Sequence, residues 1–139
     1  MIIGIGVDII EIERVKKACQ KYSFIRKIYT EREIELFGEK YSSLAGNFAV
    51  KEAVSKAFGT GVRNFKMTDI EVLRNEFGMP FVILRNGAKK ISEEMSVSKI
   101  FVSISHNIEF AVGYAVAEGQ GFFTNTSEAV FKDKGSDIL

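Results

Sequence analysis

Four groups of residues in this chain have the types and spacing to do chemistry. Asp8 follows the apolar run Ile2 to Val7. A carboxylate after a buried strand can face a cleft. Its hard oxygens suit Mg²⁺, which takes one or two protein carboxylates plus substrate phosphates. The same position also suits an N-cap for the next helix. Further on, helical spacing aligns Phe48, Glu52 and Lys56, four residues apart. A carboxylate there can hold a metal, and a cation one turn later can hold a phosphate on that metal. The competing reading is the ordinary Glu-to-Lys surface pair at i, i+4. The third group is Val102-Ser103-Ile104-Ser105-His106-Asn107, which contains the only histidine. Beside Ser105, His106 can bind phosphate or move a proton, or simply occupy a hairpin turn. The fourth is the basic set Arg14, Lys16, Lys17, Lys21, Arg26 and Lys27. It reads as a solvated helix face or as a docking surface for an acidic protein, with Phe24 as an apolar anchor.

The elements that must position these residues follow from periodicity. Ile2 to Val7 is β-branched and reads as a buried strand with Asp8 at its end. Helical patterns cover about Glu11 to Lys21, then Thr30 to Phe37, then about Ser43 to Phe58. Thr30-Glu31-Arg32-Glu33 is a capping box, and Gly59 sits where a left-handed residue ends a helix. Asp69 to Arg74 and Phe81 to Leu84 read as strands joined by a turn. A short helix over Asn86 to Met95 precedes a second strand pair, Lys99 to Ser105 and Phe110 to Ala117. In the last strand Ala111, Gly113, Ala115 and Ala117 share one face, small enough for another element or another subunit to pack closely. This order does not alternate strictly between strand and helix. It gives an α+β domain, with a mostly antiparallel sheet packed against a long helix. That domain spans 1–118, and 119–139 is a tail, loosely packed or forming a short helix around 127–132.

Composition removes several classes of function. The 139 residues, 46% hydrophobic and 27% charged, suit one globular domain. A net charge of +1 gives no field that favours nucleic acid. Any anionic substrate must therefore be met by locally placed cations or a metal. No apolar run is long enough to span a membrane. Cys19 is the only cysteine, so no internal disulfide forms. With no signal peptide evident, a reducing cytoplasmic location is expected. A lone histidine supports no zinc site, and Cys19 lies too far along the chain from His106 to suggest a nucleophilic pair. There is no P-loop and no dinucleotide fingerprint, and Gly4-Ile5-Gly6 is too short to argue phosphate binding.

Together the segments resemble the holo-acyl-carrier-protein synthase family of phosphopantetheinyl transferases. The resemblance rests on Gly4-Ile5-Gly6-Val7-Asp8, on Phe48 through Gly61 with its Lys51-Glu52-Ala53 and Lys56, and on Val102-Ser103-Ile104-Ser105-His106. Gly78-Met79-Pro80 before a strand adds to it. It implies the 4′-phosphopantetheinyl transferase fold and transfer of 4′-phosphopantetheine from coenzyme A to a serine of acyl carrier protein, in support of fatty acid biosynthesis. Asp8 and Glu52 are then the Mg²⁺ carboxylates, with Glu52 and Lys56 at the chemistry. Lys56, His106, Ser105 and Gly59 meet coenzyme A, with Lys56 near its phosphates and His106 near its nucleotide. Arg14, Lys21, Phe24 and Lys27 meet the acidic carrier protein. A homotrimer with sites between subunits is implied as well. Asn47 stands where the family often has Arg, and Asn supplies no bidentate cation for a phosphate. Two other readings use the same residues. One is a metal-dependent phosphohydrolase acting on a nucleotide; the other is an oligomeric binding module in which Glu52 and Lys56 only pair.

Overall fold

A computed structural model describes residues 1–61 and 63–120. The expected helix around 127–132 lies outside them. The elements run β1 (Ile2–Glu11), α1 (Ile12–Ala18), α2 (Tyr22–Ile28), α3 (Glu31–Phe37) and α4 (Tyr41–Ala57). After a 3-10 turn at Met67–Asp69 come β2 (Ile70–Arg74), β3 (Pro80–Leu84), α5 (Asn86–Glu94), β4 (Val97–His106) and β5 (Phe110–Gly119). The class is α+β, as expected, and both sheets are antiparallel. One has the order β1-β5-β4 and the other is the β2-β3 hairpin.

Helix α4 is the centre of the molecule. It is buried most of the way round, from Leu44 and Ala45 to Val54 and Ala57. A helix apolar on all sides must be covered on all sides. The three-stranded sheet covers one face, and β2 with α5 adds to the packing on the other. Helices α1, α2 and α3 close a second apolar cluster around Val15, Ile28, Tyr29 and Phe37.

Small residues let α4 lie close on the sheet. A methyl at Gly6 would overlap the Ala53 carbonyl oxygen, and one at Gly113 would overlap the backbone of Ala49 and Val50. The small-residue face of β5, expected to admit an element or a subunit, is therefore taken by α4. It is not available to another chain. Three further expectations are corrected. β1 does not stop at Val7 but continues through Asp8 to Glu11, because its pairing with β5 runs on to Phe110. The single helix expected over Glu11 to Lys21 ends at Ala18, and a separate helix, α2, follows it. Glu11, not Asp8, is the N-cap of α1, and it caps without its side chain. The Thr30–Glu33 capping box forms as expected, and Gly59 adopts φ 74° just past α4.

Candidate active site

The alternation of β1 decides where Asp8 points. Ile5, Val7 and Ile9 are exposed on the outer face, whereas Gly4, Gly6, Asp8 and Ile10 lie on the α4 side. Asp8 thus reaches α4 beyond the last glycine, where a side chain has room. There it meets the face of α4 that carries Glu52 and Lys56. Lys56 Nζ donates to the Val7 carbonyl at 2.8 Å and to Asp8 Oδ1 at 3.3 Å. The Asp8 side chain is 20% exposed and that of Lys56 is 53% exposed. Among the described residues, Glu52 and Lys56 do not form the helical ion pair; Lys56 pairs with Asp8.

Glu52 is half-buried. Burial pushes its carboxyl above the ordinary value, the negative charge of Asp8 pushes the same way, and Lys56 opposes both. The Asp8 charge acting on Glu52 marks a concentration of negative charge that a divalent cation would relieve. Asp8 and Glu52 line an open cleft of about 610 Å³. Glu11 and Arg14 line it too, and Ile10, Val15, Phe24, Phe48 and Phe110 form apolar walls. Two hard-oxygen donors with open space beside them fit Mg²⁺, whose remaining ligands are water and substrate oxygens.

The other expected residues are more dispersed. Gly59 lines a second opening of about 700 Å³ with Thr60, Gly61, Arg63 and Asn64. Gly59 follows the end of α4, three residues beyond Lys56. Ser105 and His106 end β4 and are exposed. His106 pairs with Ala111, which pairs with Ile10 of the cleft, so His106 stands two strands away, about 10 Å. Neither residue lines the cleft. Arg14, Lys21 and Lys27 are exposed and form no salt bridge among the described residues. Phe24 is half-buried, stacks on Phe48 with ring centres 6.4 Å apart, and serves as cleft wall.

Asn47 is fully buried and lines neither opening. Its Nδ2 donates to Glu33 Oε2 at 2.9 Å and to the Val72 carbonyl at 3.1 Å, while Arg74 Nη2 donates to its Oδ1 at 2.8 Å. Two partners in this network escaped the sequence reading. Glu33 and Lys51 form a salt bridge of 2.7 Å with both side chains at 0% exposure. Lys51 stood in the motif with no task, and nothing in its spacing marks it as buried. Phe48 was marked by its alignment with Glu52.

Residues 4–117 match the family model described as the 4′-phosphopantetheinyl transferase superfamily. The holo-[acyl-carrier-protein] synthase of Clostridium perfringens is 54% identical over 128 residues, covering 86% of this chain and 96% of that one. Among solved structures, the Plasmodium yoelii acyl carrier protein synthase with ADP bound aligns with a TM-score of 0.79 at 34% identity, over 87% of this chain and 98% of that one. The holo-(acyl-carrier-protein) synthase of Bacillus anthracis, in complex with CoA (3′,5′-ADP), aligns with a TM-score of 0.72 at 38% identity, over 86% and 99% of the two chains. The matched span includes the strand that carries Asp8 and the helix that carries Glu52 and Lys56. This chain therefore belongs to the 4′-phosphopantetheinyl transferase superfamily, among its holo-[acyl-carrier-protein] synthases.

Proposed function

We propose that the chain moves 4′-phosphopantetheine from coenzyme A to a serine of an acidic apo acyl carrier protein, supporting fatty acid biosynthesis, with Mg²⁺ held by Asp8 and Glu52. The observation that carries this reading is the meeting of Asp8 and Glu52 at one open cleft, with Lys56 paired to Asp8. When bound, Mg²⁺ neutralises the pyrophosphate oxygens as the bond to the leaving group breaks.

The chain's own residues do the rest. The serine oxygen attacks the β-phosphorus of coenzyme A. The bond from that phosphorus to the oxygen bridging the two phosphates breaks, and its electron pair leaves with 3′,5′-ADP. The ammonium of Lys56 has three N–H groups, and two are used on Val7 and Asp8. The third is left to meet a phosphate oxygen as charge develops. Glu52, its carboxyl lifted by burial, and a substrate phosphate are both candidates to accept the serine proton. Gly59 and the loop after it supply room for the nucleotide. Ser105 and His106 lie too far from the carboxylates to act on the same phosphate, so they serve the nucleotide of coenzyme A across a subunit boundary. That arrangement needs a second copy of the chain, which the homotrimer supplies, and the exposed apolar outer face of the sheet supports self-association. Arg14 lines the cleft, and with the exposed cations Lys21 and Lys27 it steers the carrier.

Mass spectrometry of an apo carrier protein, incubated with coenzyme A, Mg²⁺ and this chain, tests the reading. A gain of one phosphopantetheine per serine is expected. Consumption of coenzyme A with no carrier present would point instead to a phosphohydrolase, and no Mg²⁺ dependence to a binding module.

A further inference from the structure

Helix α2 has seven residues and no side-chain cap at its start. Isolated helices that short are marginal in water, so what places α2 is its tertiary anchorage. Its last carbonyl, that of Ile28, accepts from Lys51 Nζ at 2.7 Å. The same buried ammonium donates to Glu33 Oε1 at 2.7 Å and to the Met67 carbonyl at 3.1 Å. It lies 5.6 Å from the ring centre of Tyr29, which follows α2. The Tyr29 ring meets Phe24 edge-on at 6.5 Å, and Phe24 stacks on Phe48. Both phenylalanines wall the cleft in which Glu52, the neighbour of Lys51, stands.

We infer that Lys51 is a positioning residue: its buried ammonium anchors the end of α2, and thereby sets the Phe24 wall of the cleft and the α2 cations Lys21 and Lys27. A buried ion pair contributes little net stability compared with apolar groups of the same shape. What Lys51 adds is a fixed geometry, tying α2, α3 and the Met67 turn to the helix that carries Glu52. The effect on catalysis rests on the carrier-docking reading above; the anchoring of α2 does not.

The test uses the full chain and the double variant Lys51→Met with Glu33→Gln, which removes the charge pair without stranding either member. Thermal melting first establishes that the variant is folded. Amide hydrogen exchange across 22–28 is then expected to speed up while exchange in α4 stays as in the wild type. KM for the carrier protein should rise roughly tenfold while KM for coenzyme A moves less than about twofold. Unchanged exchange across 22–28 in the folded variant would overturn the anchoring. Equal rises in both KM values would overturn the specific link to α2. The separate variant Lys21→Glu with Lys27→Glu isolates the docking reading. If it leaves the carrier KM unchanged, docking on α2 fails, while the exchange result still decides the role of Lys51.

Discussion

Glu71 sits 3% exposed at the start of the β2-β3 hairpin and holds two elements together. Thr30, the N-cap of α3, donates to its Oε2, and Arg85 Nη2 donates to its Oε1 at 3.1 Å. Burial alone would raise this carboxyl. The hydrogen bonds from Thr30 and Arg85, with the charges of Arg85 and Arg32, outweigh burial and hold it below the ordinary value. A carboxyl depressed in the folded state adds stability above its unfolded pKa and loses it as pH falls through the folded one. Glu71→Gln should therefore cost about 2 kcal/mol at neutral pH. In denaturant titrations that deficit should shrink on acidification below the ordinary carboxylate pKa; a deficit constant with pH would contradict the assignment. At this scale the sequence told the active carboxylates from ordinary ones only through their motif. Spacing alone suggested that Glu52 pairs with Lys56, whereas Lys56 reaches across to β1. Glu33, Lys51 and Asn47 were illegible for a plain reason. Lys and Glu are normally exposed, and nothing local reveals that a distant partner lets them be buried.

The elements explain why Asp8 and Glu52 can meet at all. β1 and α4 touch backbone to backbone, and Gly4 and Gly6 permit it. Gly6→Ala should push α4 off the strand, costing about 1–3 kcal/mol or more as an overpacked contact. Asp8 is two residues along, so the same variant should also need more Mg²⁺ for half-maximal transfer. Unaltered denaturant stability would show that the contact is looser than described. The helix and strand periods announced most of these elements. Gly4-Ile5-Gly6 was too short to argue phosphate binding, yet both glycines admit a helix, which only the fold discloses. Helix α2 escaped because Tyr22-Ser23-Phe24-Ile25-Arg26-Lys27-Ile28 is two turns long and lacks a capping side chain. The extension of β1 to Glu11 escaped because it depends on its partner strand, not on local pattern.

The whole molecule leaves an apolar surface uncovered. On the outer face of the three-stranded sheet Ile5 is 58% exposed, Val7 51%, Ile9 61% and Phe101 44%. A contiguous apolar patch of this kind marks an interaction surface. The sequence left the small-residue face of β5 open to an element or a subunit, and α4 takes it. The opposite face, carrying Tyr114 beside Val7, takes the subunit in the proposed homotrimer. Val7→Asp should therefore shift sedimentation towards the single chain and reduce transfer, since His106 would lose the neighbouring site. Sedimentation identical to the wild type would exclude this face from assembly. The central claim is narrower: Asp8 from one strand and Glu52 from one helix share a divalent ion. The most direct measurement is the rate of phosphopantetheine transfer against Mg²⁺ concentration for the wild type, Asp8→Asn and Glu52→Gln. Each variant should fall by on the order of 100-fold or more and need higher Mg²⁺ for activation. Near-normal transfer by either one, with an unchanged Mg²⁺ dependence, would contradict the shared site.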